Sequence, residues 1–295
     1  MKRKRWGKKY IDKRDWKVYN RKLVKRGEFY INPRFLDRWN DEIKEMNNGK
    51  EGNPYLYPDS MIEFLVALHS KSFDYRALEG IMWGLSPHFH NFPVISYSQI
   101  CRRINKLDVN FESGDDNLIV GTDGSGIKVS NRGDWMRNKW QVKKGWIKVV
   151  IMGDTKGNIV DVRVGNEDTN EVKSSRGMIR KHKKCIKKLL GDGLYDCEEN
   201  FDLCEEAGIE PVLKIRENAS EKGLGPRAEE VRLYKILGYK EWAKQKGYGM
   251  RWICTEGIFS ATKRIFGEYV RATKKRNMYH EAKLKFWAYN QLNLL

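Results

Sequence analysis

The sequence predicts an α/β protein in which a mixed sheet flanked by helices follows an all-helical N-terminal region. Three observations predict it. Apolar residues recur at helical spacing up to about residue 110, then switch to strand-like alternation and short apolar runs from Asn117 onward. Beyond that point the segments run strand, strand, strand, helix, strand, helix, strand, the order of a mixed sheet with helices on its faces. A chain of 295 residues, 40% of them hydrophobic, has enough core formers for a large domain or two, which excludes a disordered basic polymer despite a formal charge of +18.

Taken in order, Asp15 to Gly27 reads as a short basic helix and Asn32 to Met46 as a second, with Phe35, Leu36, Trp39 and Ile43 on one face. The stretch NNGKEGNPYLYP, Asn47 to Pro58, is punctuated by Gly and Pro and reads as a loop. Ser60 with Glu63 three positions on predicts a capping box at the head of MIEFLVALHS. Tyr75 to Met82 and Tyr97 to Leu107 complete a helical region expected over residues 1–110. Its polar last helix, YSQICRRINKL, fits a helix-turn-helix reader in which Gln99, Arg102 and Arg103 would meet bases, and fits a plain helical cap or dimerisation region as well.

A second region is expected over 111–295. NLIVGTDGSG reads as an apolar strand closing in a Gly-rich turn, and GWIKVVIMGDTKGNIVDVRVG as a hairpin about DTKGN. GNEDTNEVKSSRGMIRKHKKCIKKLL reads as a polar connection and a basic helix, Lys173 to Lys188, with eight Lys or Arg, either a DNA track or a solvated sheet cover. A short strand ends at Leu190 and Gly191, a helix covers Glu198 to Ala207, EPVLKI is a fifth strand, and the rest from Arg227 is mostly helical. That order matches the ribonuclease H-like fold.

Charge is distributed unevenly. Residues 1–26 carry 13 Lys or Arg against Asp12 and Asp15, residues 51–110 are near neutral, and eight basic residues follow Glu256 against Glu268 and Glu281. Such a balance predicts a polyanionic partner, since each neutralised phosphate releases counterions; the alternative is a solubilising or heat-adapted surface. Five cysteines without a CxxC pair fit a reducing compartment. Five histidines make no zinc signature, His88 and His90 being the one spaced pair. MKRKRWGKK leads into no apolar stretch, and no run of about 18 apolar residues occurs, so neither signal peptide nor membrane anchor is expected and the expected location is cytoplasmic.

Three carboxylates stand where chemistry is done. Asp123 follows the apolar LIV in TDGSG, with glycines expected to leave space beside it; Asp192 follows KKLLG in GDGLYD; Glu256 opens EGIFSATKRIF. Acids at strand ends and a helix start can converge on one point, and their hard oxygens suit two Mg²⁺ or Mn²⁺ ions in phosphodiester chemistry. Each also has a purely structural reading, as a turn former or a helix-start carboxylate. Lys263, two helical turns past Glu256, is placed for a neighbouring phosphate, Arg251 offers a planar fork, and Tyr248 a stacking or hydrogen-bonding ring.

These motifs resemble those of the DDE transposases of bacterial and archaeal insertion sequences, in the insertion sequence 4 and 5 superfamily, over nearly the whole chain. The sharpest matches are GTDGSGIKVSNRGDW around Asp123, GDGLYD with Asp192, IREN at Ile215 to Asn218, and RWICTEGIFSATKRIFGEY. The family's tyrosine, arginine, glutamate, lysine signature falls on Tyr248, Arg251, Glu256 and Lys263, with one departure: four residues, where the family has three, separate Arg251 from Glu256. Asp196 rivals Asp192, and the family pattern favours the acid straight after the strand. The resemblance implies metal binding by Asp123, Asp192 and Glu256, no small organic cofactor, and a homodimer on double-stranded DNA. It further implies binding of terminal inverted repeats, cleavage to free 3′ hydroxyls and their joining to target DNA. The competing functions are a nuclease or resolvase of the same fold that cuts without joining, and a non-catalytic DNA-binding derivative.

Overall fold

The computed structural model describes residues 15–89, 92–111, 115–129, 138–139 and 145–294. Residues 1–14 of the basic lead, His90 and Ser130 to Trp135 of the Asp123 motif lie outside them.

The helical region opens with α1 (Trp16–Phe29), capped by Asp15, whose carboxylate accepts from the Lys17 and Val18 N–H groups. The helix expected from Asn32 to Met46 is broken: a 3₁₀ turn, Arg34–Leu36, precedes α2 (Trp39–Asn47). The break turns Phe35 inward against Phe64 and Phe92, at ring separations of 5.3 and 6.0 Å. In α3 (Asp59–Ser70) the expected capping box does not form, because Pro58 takes the N-cap position and leaves Ser60 inside the first turn. Glu42 of α2 accepts from the Ser60 N–H at 2.8 Å and from its hydroxyl at 2.5 Å, so the cap comes from another helix. α4 (Tyr75–Leu85), capped by Asp74, and α5 (Tyr97–Ile104) complete this part.

The sheet is the mixed one expected. β1 (Leu118–Val129), β2 (Trp146–Asp154) and β3 (Ile159–Asn166) are antiparallel, and the Asp154–Asn158 hairpin turn places Gly157 at φ 82°. After α6 (Glu171–His182), β4 (Ile186–Gly191) returns parallel beside β1, and β5 (Glu210–Leu213) follows α7 (Glu198–Glu206), giving the order β3-β2-β1-β4-β5. Two expectations are corrected. The glycines of GTDGSG form no turn, since β1 continues through them to Val129 with an unbroken ladder to β2. The basic helix ends at His182, and Lys187 and Lys188 belong to β4, whose buried residues are Ile186 and Leu189 to Gly191.

After α8 (Pro226–Lys246), broken at Gly238, come a 3₁₀ turn (Tyr248–Met250), a π turn (Ile253–Gly257) and α9 (Ile258–Phe266). The short β6 (Tyr269–Val270) pairs with the far end of β1, and α10 (Lys275–Asn293) closes the described chain. Successive strand residues face opposite sides. Val120, Val150 and Met152 pack on one side against Met178 of α6 and Phe201 of α7. Ile127, Val149 and Ile151 pack on the other against α9 and α10, in a core that runs on without interruption into α3, α4 and α5. Among the described residues no helix is long and apolar enough to cross a membrane.

Candidate active site

Asp123 lies in the middle of β1, on the face covered by the π turn and α9. Its ladder partner is Ile151 of β2. The parallel register sets Gly121 beside Leu190, so continuing two steps brings Asp123 level with Asp192, just past the end of β4. Because β4 stops at Gly191 while β1 runs on, that flank of Asp123 has no neighbouring strand. Asp192 takes the N-cap of the 3₁₀ turn Gly193–Tyr195 and accepts the Leu194 N–H at 2.8 Å.

Glu256 arrives on the π turn, and here the extra residue between Arg251 and Glu256 finds its physical meaning. A π turn closes from residue i to i+5 and accommodates one residue more than an α-turn. Arg251 and Glu256, five apart, therefore face each other, Nη2 lying 2.5 Å from Oε1. The other end of the guanidinium, Nη1, stands 3.8 Å from Asp123 Oδ2. The turn rests on a matched glycine pair: Gly121 and Gly153 are opposite each other in the β1–β2 ladder. A Cβ on Gly121 would lie 2.7 Å from that of Cys254, and one on Gly153 would overlap the Cys254 carbonyl.

Burial pushes the Asp123 carboxyl up to about 6; the Asp192 and Glu256 charges add to the rise, and the Gly124 N–H and Arg251 oppose it. The three acids thus share one electrostatic environment. Lys263 of α9 donates to Ser125 Oγ at 2.8 Å, two residues along β1 from Asp123 and on the same face. Burial and the nearby Lys128 lower its pKa, against Glu268. Tyr248 is buried, its ring 5.3 Å from that of Trp242 and 5.7 Å from the Arg251 guanidinium; burial raises its hydroxyl to about 12. Its position makes it a support for Arg251, with little ring surface free for stacking on a ligand.

The rival Asp196 is consumed elsewhere. Its side chain is fully buried, bound by Arg227 at 2.6 and 3.1 Å and by the Arg216 N–H at 3.0 Å. Arg103 is likewise a strut, donating to the Tyr57 carbonyl and to Asp59, each at 2.7 Å, with Tyr55 stacked against it; Arg102 is exposed at the same groove, which Gln99 also lines.

Several residues around the acids escaped sequence reasoning. The glycines after Asp123 do not open space beside its carboxylate: Gly124 and Gly126 face the opposite side, where their missing Cβ atoms admit the Glu171 carboxylate and the Trp146 ring. Glu171 is held by Lys148 at 2.8 Å. The Thr255 hydroxyl lies 2.7 Å from Glu256 Oε2. Only the positions of Ser125 and Thr255, two and one residues from an acid, carry a hint in the sequence.

Among the described residues, no three His, Cys, Asp or Glu side chains stand close enough to hold a metal ion as arranged. The donor chemistry nevertheless fits one: Asp123 and Glu256 turn hard carboxylate oxygens to the two ends of the Arg251 guanidinium, a charge that a divalent ion would replace.

Two family models described as "Transposase DDE domain" match the chain, over residues 115–291 and 24–132. No curated protein matches it. Solved structures with similarity include the Drosophila P element transposase strand transfer complex, at 14% identity and TM-score 0.30, covering 57% of this chain and 40% of that one. The simian T-cell lymphotropic virus intasome in complex with the PP2A regulatory subunit B56 gamma gives 13% identity and TM-score 0.26, over 73% and 71% of the two chains. The piggyBac transposase synaptic complex with hairpin DNA gives 10% identity and TM-score 0.39, over 92% and 75%. The chain thus spans well under half of the P element protein. With its strand order and with a family match over more than half its length, the chain belongs to the DDE transposase family, of the insertion sequence 4 and 5 type that its motifs resemble.

Proposed function

We propose that the protein is a metal-dependent DNA transposase that binds the terminal inverted repeats of its element, hydrolyses a phosphodiester at each end to free a 3′ hydroxyl, and joins that hydroxyl to target DNA. The observation that carries this reading is the Arg251 guanidinium bridging Asp123 and Glu256, with Asp192 level with Asp123 just past the end of β4, in a chain of net charge +18.

Asp123, Asp192 and Glu256 would hold Mg²⁺ or Mn²⁺. When bound, the two ions supply Lewis-acid stabilisation of the phosphate and of the attacking and leaving oxygens. The remaining work falls to the chain. Glu256 is held ready by Thr255 and Arg251, and Arg251 in turn is free to turn its planar fork on a phosphate once its acids are otherwise neutralised. Lys263, fixed by Ser125 beside Asp123, places an ammonium for the phosphate next to the scissile one. Two transposon ends make a homodimer the expected assembly, and the basic lead and the first helices are the proposed end-binding surface.

The test is cleavage and joining of a labelled duplex carrying the element's own end, with Mg²⁺ or Mn²⁺, by wild type and by Asp123→Ala, Asp192→Ala and Glu256→Ala. Wild type should release a 3′ hydroxyl and join it to a second duplex, and each variant should bind DNA yet lose both steps by a factor on the order of 10³. Cutting without joining would replace this reading by a nuclease or resolvase. Binding without any cutting would replace it by a DNA-binding derivative.

A further inference from the structure

The rise in basic residues after Glu256 is only partly used by the acids' surroundings. Three of those residues, Lys275, Arg276 and Lys283, lie on the first half of α10, where they meet Lys106 from the segment after α5 and Arg163 from the edge strand β3. Together they line an open groove of about 880 Å³. Two acids approach these five cations: Asp108 lies 3.4 Å from Lys283, and Asp161 3.6 Å from Arg163. Three separate segments thus deliver like charges to one concavity, an arrangement whose mutual repulsion calls for a polyanion.

The placement of two of the cations works against the helix that carries them, although Lys275 lies over the Tyr279 ring at 6.0 Å. Lys275 and Arg276 sit in the first turn of α10, at the positive end of the helix dipole, with no acid in that turn and no side-chain cap from Lys274. Cations there cost a few tenths of a kcal/mol each, and an anion there is favoured. The groove floor also lines up with the candidate active site. Val164 of β3 pairs with Val149 of β2, which pairs with Ser125, the residue that holds Lys263. Two strand spacings of about 4.8 Å separate the ends of that row, a short distance beside a turn of duplex DNA at about 34 Å.

We infer that this groove is a second DNA contact, a seat for the phosphate backbone of double-stranded DNA distinct from the basic lead and from the carboxylates. The inference rests on the transposase reading for the identity of its polyanion. On this reading the five cations meet phosphates, so the contact positions the duplex without selecting its sequence.

The measurement is the salt dependence of binding to a duplex of unrelated sequence, without divalent cations, by fluorescence anisotropy on the full chain. Each lost phosphate contact lowers the slope of log K against log salt by about 0.9. Lys275→Ala/Arg276→Ala should lower it by about 2, and adding Lys106→Ala from the opposite wall by about 1 more. Lys240→Ala/Lys244→Ala, both exposed on α8, should leave it unchanged. Unchanged slopes for the groove variants, or an equal fall for the α8 variant, would overturn the inference. A protein that shows the groove effect yet never cuts its ends would sink the transposase reading alone; one that cuts with unaltered slopes would sink the groove alone.

Discussion

Arg251 spans two of the three acids, so its removal should be felt first as unbalanced charge. In Arg251→Ala, the metal-free protein should lose about 1–2 kcal/mol, or a few degrees in Tm, because the half-buried Asp123 and Glu256 then face each other uncompensated. Added Mg²⁺ should raise the Tm of the variant more than that of wild type; equal shifts would show that guanidinium and metal do not share one site. A second residue sets a pH dependence far from these acids. Burial, with Glu42 and Asp59 nearby, pushes Glu63 up to about 7. A raised carboxyl means that the folded chain binds the proton more tightly than the unfolded one, so stability is full below the ordinary carboxylate range and falls as pH rises through 7. Glu63→Gln should remove that fall, gaining up to about 3 kcal/mol at pH 8 in urea melts while changing little at pH 4. The same residue shows what sequence reading misjudged. Ser60 and Glu63 have the spacing of a capping box, but the spacing does not say that Pro58 holds the N-cap and that Glu42 supplies the acceptor.

Elements were legible where periodicity speaks and illegible where a residue is used for what it lacks. The hairpin, the two parallel strands and the crossover helix follow from their apolar patterns, whereas Asp123, expected at a strand end, stands in the middle of β1. GTDGSG was misread because glycine signals a turn through its backbone freedom, whereas Gly121, Gly124 and Gly126 sit in ordinary extended strand and contribute a missing Cβ. The one-residue excess before Glu256 was visible as a count, but its remedy, a wider turn seated on Gly121 and Gly153, needs the third dimension. Gly153→Ala tests that seat. The added methyl meets the Ile258 side-chain end, which can yield, and the Cys254 carbonyl, which cannot, so the variant should lose about 1–3 kcal/mol and cut far more slowly, with DNA binding retained. A variant as stable and as active as wild type would show that the π turn does not depend on the glycine pair.

Across the whole molecule, the expected division at residue 110 coexists with a single apolar core that joins α3, α4 and α5 to the sheet through α9 and α10. A polar latch reinforces the junction. Glu281 accepts from the Arg271 and Ala272 N–H groups, and the Arg271 guanidinium reaches the carbonyls of His69, Ser72 and Phe73 at the end of α3. Helical and sheet parts should therefore unfold together, with coincident transitions by tryptophan fluorescence and far-ultraviolet circular dichroism. Arg271→Ala should lower that shared Tm by several degrees without splitting it, since the carbonyls of His69, Ser72 and Phe73 each lose a charged donor. Two separate transitions would mean that the common core is too weak to couple the parts. The depth of this coupling lay beyond the sequence, because contacts between Arg271 and His69 span most of the chain and leave no local pattern.

The scatter of the acids along the chain has a consequence in time. Asp123, Asp192 and Glu256 belong to segments made far apart during synthesis, and the face behind them is roofed by α10, the last helix described. A growing chain displays its basic lead long before Glu256 has left the ribosome. The three carboxylates cannot be brought together before the segment carrying Glu256 has emerged, so on the proposed reading any cutting of DNA waits until that segment is made.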